Sequence, residues 1–411
     1  MRKRKLLAKA LGVERAVVVG FDERDGRLVL RVRVRRGDEW RCPVCQRKCG
    51  RYDRPEHLRR WRAPDFGVMR VEVEASTPRV RCVEHGVHTA HVPWARMGSR
   101  FLRGFEDTVA WLTVRTDRTT VTQLLRIAWR TVGRILERVS SEALAARPPL
   151  AGLRRIGIDE VSYRKGHRYL TIVVDHDTGH LIWAAPGRDA KTLRKFFRKL
   201  KKAGRESIEL VSADAAPWIG KVVREMCPKA KLCIDPFHVV SWATKALDKV
   251  RRQLWQKLRK QGDSDRARAL KGSRWALMKN PGDLSRKQRG KLRDIETDNR
   301  PLFLAYLMKE QLREVFQQRD WQGPFLLSDW IEWVMSSRCE PMKKVARSIR
   351  DNLDGIYSAL LNQLSNGRLE AMNTKLRLLT RLAFGFHSHR PLVALAMLKL
   401  GGLAPSLPTL A

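Results

Sequence analysis

The chain has 411 residues, and its 83 Lys and Arg against 43 Asp and Glu give a formal net charge of +40. This charge argues against an enzyme of small neutral molecules, because a compact chain gains nothing from such self-repulsion, and it favours a duplex polyanion as partner. The length predicts several domains. No apolar run is long enough for a transmembrane helix, and the basic Met1–Lys5 start lacks a small-residue cleavage site. We therefore expect no membrane partner and no signal peptide.

The N-terminal segment predicts a small β-rich domain. Ala16–Phe21 and Arg27–Val34 alternate apolar and polar residues on either side of an Asp-Gly turn, which is the pattern of a hairpin. Downstream, the pairs Cys42/Cys45 and Cys82/His85 have the same internal spacing and flank a predicted strand at Arg70–Glu74, so they are expected to converge at the ends of that small sheet. Four such ligands suffice for a closed tetrahedral zinc site that holds the fold together. The alternative is a set of unrelated free thiols.

The segment Phe101–Ser141 is helical by pattern. Within it, Val121–Ile127 predicts the first helix of a helix-turn-helix, Trp129 the turn, and Arg130–Arg138 the recognition helix. Side chains on the polar side of such a helix contact base edges and phosphates in the major groove. Here they are Arg130, Thr131 and Arg134. The alternative is an ordinary amphipathic helical pair with a solvated basic face.

The middle of the chain predicts a mixed sheet with the element order β-β-β-α-β-α-β. Its expected strands and helix are Arg155–Ser162, Tyr169–Val174, His180–Ala185, the helix Ala190–Lys202, and Ile208–Ser212. If a right-handed crossover returns the fourth strand parallel to the first, Asp159 and Asp214 face each other at neighbouring strand ends. Two carboxylates so placed repel each other unless a cation such as Mg²⁺ lies between them.

A third acid lies far downstream, in a helix predicted over Leu364–Leu379 with Ser365 as N-cap. The helix has an apolar stripe that would dock on the sheet, formed by Leu369, Met372, Leu376 and Leu379. Glu370 falls on a different, polar face and would point at the aspartate pair. Such a site orients water or a 3′-hydroxyl for in-line attack on a phosphodiester. In the alternative reading, Asp159 is a structural acid, Asp214 a helix cap and Glu370 half of a surface ion pair.

The chain between Val240 and Gln363 is mostly helical by pattern, rich in Lys and Arg, and punctuated by tryptophans. This predicts a helical insertion before the last acid. Lys249–Arg293 is the part expected to contact phosphates, and a solvated basic helix face is the alternative. Pro391–Leu403 predicts an apolar helix that packs back on the core.

The chain resembles the DDE transposases of bacterial insertion sequences, most closely the ISL3 family, in four successive segments: GIDEVSYRKGHRYLTIVVDHDTG, VSADAAPWIGKVV, CIDPFHVV and SNGRLEAMNTKLRLLTRLAFGFHS. The resemblance implies a multidomain α/β protein. Its ribonuclease-H-like mixed sheet would be interrupted by a helical insertion and preceded by a β-rich zinc-binding domain and a helical helix-turn-helix domain.

The resemblance also implies residue roles. Asp159, Asp214 and Glu370 would be the catalytic triad, with Mg²⁺ or Mn²⁺ as the cofactor. The expected auxiliary residues are Asp235, His238 and Asn373.

The fourth ligand of the structural zinc stays open at this stage. The family has a cysteine there more often than a histidine. Cys49 and His88 are therefore alternatives to His85.

The expected domains are a zinc-binding domain, a helix-turn-helix region, the first part of the catalytic domain, the insertion and the last catalytic part, at 1–97, 98–150, 151–240, 241–363 and 364–411. The predicted function is a DNA transposase that binds terminal inverted repeats, cleaves the element ends and joins their 3′-hydroxyls to target DNA. Synapsis of two ends implies a homodimer or larger assembly. The expected location is the bacterial cytoplasm, at the nucleoid. A ribonuclease-H-fold nuclease without strand transfer, or a non-catalytic DNA-binding regulator, is the alternative.

Overall fold

The computed structural model describes residues 2–13, 15–53, 57–148, 150–318, 322–364 and 366–407. The chain divides into two units, one made of Met1–Pro149 with Leu378–Ala411 and the other of Leu150–Arg377. Ser365, predicted as an N-cap, lies outside the described residues. None of the described helices is long and apolar enough to cross a membrane.

The first unit contains two small sheets in its described part, with strand orders β1-β2-β5-β4 and β3-β6-β7. Their bounds are β1 Ala16–Arg24, β2 Arg27–Val34, β3 Gly50–Arg51, β4 Arg59–Arg62, β5 Arg70–Ala75, β6 Arg79–Cys82 and β7 Gly86–Thr89. The predicted hairpin is confirmed as β1 and β2, which pair antiparallel. Asp25 and Gly26 have φ of 52° and 67°, the left-handed conformations that a tight two-residue hairpin turn requires.

The strand predicted between the two metal-ligand pairs exists, but it belongs to the larger sheet. As β5 it runs parallel to β2 and antiparallel to β4. Cys82 ends β6, which lies in the separate three-stranded sheet. The expectation that the pairs converge at the ends of a sheet containing Arg70–Glu74 is therefore wrong. The parallel pairing of β2 with β5 is long-range and leaves no local sequence pattern.

The helices of the first unit begin with α1 Arg2–Ala10, α2 Arg103–Arg115, α3 Arg118–Leu124 and α4 Trp129–Ala146. Asp117 caps α3, because its side chain accepts a hydrogen bond from the backbone N–H of Thr120. Val132, Ile135 and Leu136 form the apolar face of α4 and are buried. Helices α3 and α4 form the helix-turn-helix.

The second unit is built on a five-stranded mixed sheet of order β10-β9-β8-β11-β12. Its strands are β8 Arg155–Arg164, β9 Arg168–Asp175, β10 Leu181–Pro186, β11 Leu210–Ala213 and β12 Lys231–Ile234. The first three pair antiparallel, and β11 lies parallel to both β8 and β12. The predicted order of elements and the mixed sheet are confirmed.

Helices pack on this sheet through apolar stripes. The helix predicted over Ala190–Lys202 is two helices, because Lys201 has a left-handed φ of 54°. These are α5 Ala190–Lys199 and α6 Lys201–Glu206, and α7 Pro217–Met226 follows β11. Leu193, Phe196 and Phe197 of α5 are fully buried in one cluster with strand residues. Burial of each such side chain stabilises the fold by about 1.5–3 kcal/mol.

The helical insertion begins directly after β12. It consists of α8 Pro236–Lys260, α9 Ser264–Gly272, α10 Arg274–Met278, α11 Arg286–Asp298, α12 Arg300–Val315, α13 Gly323–Ser336, α14 Glu340–Arg350 and α15 Leu353–Asn362. Trp330 is buried here, and its indole N–H donates to the Met308 carbonyl. Trp275 is 59% exposed instead, while Trp321 lies outside the described residues.

The last two helices are α16 Gly367–Leu382 and α17 His389–Leu400. The predicted apolar stripe of α16 is buried, at Leu369, Met372, Leu376 and Leu379. All of 364–411 is predicted from the sequence to belong to the catalytic domain, whereas the chain from Leu378 onward groups with the first unit. There α17 packs on α4.

Candidate functional site

Two aspartates meet on neighbouring parallel strands of the five-stranded sheet. Ala213, the last residue of β11, is in register with Ile158 of β8. Asp159 follows Ile158, and Asp214 follows Ala213, so the two carboxylates lie next to each other. This is the placement that the sequence predicted from a right-handed crossover.

The Asp159 carboxylate is half-buried and held by two hydrogen bonds. Its Oδ1 accepts from the Glu160 backbone N–H at 2.6 Å, and its Oδ2 accepts from Asn373 Nδ2 at 2.6 Å. Burial raises the pKa of Asp159, and the nearby charge of Asp214 raises it further, against the lowering effect of the hydrogen bonds. A bound cation would stabilise the ionised form of this carboxylate, because its positive charge offsets both the burial and the repulsion by Asp214.

His238 lies between Asp214 and Asp235. Its Nδ1 is 2.8 Å from Asp214 Oδ1 and 3.1 Å from Asp235 Oδ2, and only the second contact has the geometry of a hydrogen bond. The contacts with Asp214 and then Asp235 raise the pKa of His238 to about 10, so the ring carries a positive charge at neutral pH. Asp235 is buried and also accepts from the Asn366 backbone N–H at 3.3 Å.

Glu370 lies on α16, one turn before Asn373, and residues three apart share a helix face. Because Asn373 bonds to Asp159, that face of α16 is turned toward the aspartates. Glu370 is exposed, and no described residue forms an ion pair or hydrogen bond with its carboxylate. Within the described ranges, Asp159, Asp214 and Glu370 do not each place a carboxylate oxygen within 4.8 Å of the other two.

The donor set at this site fits a hard divalent cation. Carboxylate oxygens are the ligands that Mg²⁺ takes. Asp214 Oδ1 is buried and faces the charged His238 ring, whose Nδ1 lies 2.8 Å away without the alignment of a hydrogen bond. The carboxylate therefore keeps lone pairs that are available to a divalent cation.

A second cluster joins the two cysteine-containing pairs of the N-terminal domain. The ligand atoms of Cys42, Cys45, Cys82 and His85 all lie within 4.8 Å of one another. Cys82 Sγ is 3.5 Å from His85 Nδ1 and 3.7 Å from Cys45 Sγ, while Cys42 Sγ is 3.9 Å from His85 Nδ1. Three thiolates and an imidazole at these separations fit the tetrahedral donor set of structural zinc.

The two alternatives for the fourth ligand lie outside the four-residue cluster. Cys49 Sγ lies 3.4 Å from the Arg47 carbonyl, and His88 Nε2 lies 2.6 Å from the His85 carbonyl. Neither belongs to the four-residue cluster. The geometry therefore favours His85.

The helix-turn-helix has its predicted elements with shifted ends. The first helix is Arg118–Leu124 and the second is Trp129–Ala146, so Trp129 opens the second helix instead of forming the turn. Arg130 and Arg134 are exposed, Thr131 is half-buried, and neither arginine has an ion-pair partner in the described part of the chain. Two uncompensated cations one turn apart suit contact with a polyanion.

The turn between α3 and α4 is fixed by Arg62, which the sequence analysis did not single out. Its Nη1 donates to the carbonyl of Arg126 at 2.9 Å. Arg126 has a left-handed φ of 50°, an uncommon conformation for a residue with a side chain. No local sequence pattern predicts this contact, since the two residues are 64 positions apart.

Comparisons with known proteins agree with this organisation. A transposase family model of the ISL3 type matches residues 156–395. A helix-turn-helix model of transposase family ISL3 matches 90–140, and a zinc-finger model of the transposases of IS204, IS1001, IS1096 and IS1165 matches 38–85. The transposase for insertion sequence element IS1557 of Mycobacterium tuberculosis is 46% identical over 434 aligned positions, which cover 99% of this chain and 98% of that protein. The transposase for IS1001 of Bordetella parapertussis is 26% identical over 84% of this chain and 85% of its own length.

Proposed function

Because this chain belongs to the ISL3 family of insertion-sequence transposases, we propose that it cleaves the ends of its element and joins the 3′-hydroxyls to target DNA. The observation that supports this most strongly is the pairing of Asp159 with Asp214 on adjacent parallel strands, with Asn373 of α16 bonded to Asp159. Both reactions are attacks of an oxygen nucleophile on a phosphodiester and need one site.

We assign Asp159, Asp214 and Glu370 as the residues that would hold Mg²⁺ or Mn²⁺. When bound, the metal offsets the charge that develops on the attacking and leaving oxygens. Asn373 orients the Asp159 carboxylate through its hydrogen bond. Asp235 and His238 act as positioning residues, because the charged imidazole holds Asp214 and Asp235 together.

We assign recognition of the terminal inverted repeats to the first unit. Arg130, Thr131 and Arg134 would contact base edges and phosphates from α4. Zinc held by Cys42, Cys45, Cys82 and His85 would fix the knuckles of the small sheet. Synapsis of two element ends by this reaction requires a homodimer or larger assembly.

The test incubates the purified protein with a labelled duplex carrying one element end and an unlabelled target, with and without Mg²⁺. We expect nicked ends and slower-migrating joined products in Mg²⁺, and neither in a chelator. Nicking without joined products would indicate a nuclease. The absence of both products, with specific binding to the element end, would indicate a regulator.

A further inference from the structure

A groove of about 670 Å³ in the first unit is lined by seven arginines and one glutamate. The arginines come from strands β2, β4 and β5, from the segment before α2, and from the turn between α3 and α4. Like charges gathered in one groove repel each other, so the arrangement is costly without an anionic ligand.

Only part of this charge is neutralised within the protein. Glu72 pairs with Arg27 at 2.9 Å, and Glu74 pairs with Arg60 at 3.3 Å. Asp65 pairs with both Arg62 and Arg126. Three other arginines of the groove have no carboxylate partner in the described ranges: Arg59, Arg70 and Arg100. The guanidinium of Arg59 lies over the Trp61 ring at 5.3 Å, which orients it without removing its charge.

Arg62 holds the walls of the groove together. It is only 8% exposed, and its guanidinium lies 5.0 Å from the centre of the Phe105 ring. Its backbone N–H donates to the Arg100 carbonyl at 2.9 Å, while its side chain donates to the Arg126 carbonyl and to Asp65. Its Nε is buried without a hydrogen-bond partner among the described residues. Arg62 therefore fixes the backbone that carries Arg100 and Arg126 before any ligand binds, which lowers the entropic cost of binding.

The groove reaches the first turn of the recognition helix, because Ile127, Ala128 and Thr131 also line it. In a helix-turn-helix complex, residues at the start of the recognition helix contact base edges while neighbouring groups contact the backbone of the same duplex. We propose that this arginine groove binds the phosphate backbone of duplex DNA beside the base pairs that α4 contacts. The inference rests on the proposed recognition of element ends and adds a second, sequence-independent contact surface to it.

The test measures binding of the full chain to a labelled element-end duplex and to a scrambled duplex of equal length, over a series of salt concentrations. The groove variant is Arg59→Gln, Arg70→Gln and Arg100→Gln, which breaks no ion pair seen among the described residues. We expect it to weaken binding to both duplexes by a similar factor. The slope of log K against log salt should become shallower by about 2 to 3, since each phosphate contact contributes about 0.9.

The matched control removes three exposed cations from α5 in the other unit, as Lys191→Gln, Lys195→Gln and Arg198→Gln. We expect its salt slope to stay near the wild-type value. If the triple groove variant melts at a lower temperature, Arg100→Gln alone replaces it, with an expected slope change of about 0.9. A groove variant with wild-type affinity and slope overturns the inference.

The outcome for the proposed function is read separately, from the ratio of the two affinities. The recognition-helix variant Arg130→Gln with Arg134→Gln should lower the preference for the element end, whereas the groove variant should keep that preference. A wild-type protein without any preference for the element end contradicts the proposed function. In that case the salt slopes still decide whether the groove binds phosphates.

Discussion

Asn373 donates a hydrogen bond of 2.6 Å from Nδ2 to Oδ2 of Asp159, across 214 positions of the chain. The bond ties the polar face of α16 to the first strand of the sheet. Because Glu370 lies one turn away on that face, the same contact determines how far the third proposed acid is from the aspartate pair. The contact returns α16 to β8, although the helical insertion between β12 and α16 separates the two elements in sequence.

Asn373→Ala removes this bond and should slow cleavage of an element end by about 10- to 100-fold, because a hydrogen bond to a charged group contributes about 1.5–3 kcal/mol. The apparent Mg²⁺ concentration for half-maximal rate should rise, which a merely structural role would not produce. The control is Thr374→Ala, an exposed neighbour on α16. Equal rates and equal Mg²⁺ dependence for the two variants would argue against the positioning role.

Gly157→Ala should weaken the packing of α16 on β8 without replacing any of the three acids. A Cβ at this position of β8 would lie 2.8 Å from His176 Nε2 and 2.8 Å from Leu369 Cδ1. Such overpacking costs about 1–3 kcal/mol of unfolding free energy. We expect lower stability in denaturant and slower cleavage. Gly204→Ala is the control, since its Cβ would make only ordinary contacts from 3.5 Å.

His176 should make the second unit less stable in acid. Its ring is 5% exposed and lies 2.7 Å from the Ser212 hydroxyl. Burial, followed by the charges of Arg368 and Arg155, lowers its pKa from 6.5 to about 4, against the opposing effect of Asp175 and Asp177. The lowered pKa means that the unfolded chain takes up the proton first, so stability is full above pH 6.5 and falls as the pH drops toward 4.

The loss over that interval should be roughly 3 kcal/mol of unfolding free energy. Denaturant unfolding of the wild type and of His176→Gln at pH 7, 5.5 and 4 measures this loss. The difference in unfolding free energy between the two proteins should shrink or change sign as the pH falls. The control is His180→Gln, at an exposed position of the same hairpin, and its unfolding free energy should change with pH as that of the wild type does. Parallel curves for all three proteins would rule out this contribution.

One zinc ion per chain should be bound by the four-residue cluster of the N-terminal domain. Cys82→Ser should abolish zinc binding and unfold the small sheet, because the free energy of binding a structural zinc contributes directly to folding. Cys49→Ser should keep the full zinc content. Metal analysis of the purified variants decides the matter, and normal zinc in Cys82→Ser together with loss in Cys49→Ser would reassign the ligands.

The sequence predicted those parts of the fold that local patterns specify. The Asp-Gly turn required the hairpin of β1 and β2, and the crossover rule placed β11 beside β8. The ends of helices were less well predicted, since Trp129 was expected in a turn and begins α4 instead. The helical spacing of apolar residues does not reveal where a helix starts when no side chain caps it. Ala128, which precedes α4, forms no side-chain cap hydrogen bond.

The long-range parts of the sites were not predictable in the same way. No local pattern pairs β5 with β2, and none brings Arg62 to the carbonyl of Arg126. The arginine groove is assembled from strands and loops far apart in sequence, so the sequence shows only scattered basic residues. The predicted position of Glu370 followed from docking the apolar stripe of α16 on the sheet. Such docking specifies the helix face that carries Glu370 but not its distance from the two aspartates.

The central claim is that Asp159, Asp214 and Glu370 form one metal-dependent site for phosphodiester chemistry. Asp214→Asn tests it most directly, because the amide keeps the size of the side chain and removes its charge. The single-turnover rate of cleavage of a labelled element end in Mg²⁺ should fall by at least about 100-fold. This loss exceeds the loss of activity expected when a residue that hydrogen-bonds to a metal ligand is removed. The affinity for the element end should stay at the wild-type value. Wild-type cleavage by this variant would contradict the assignment.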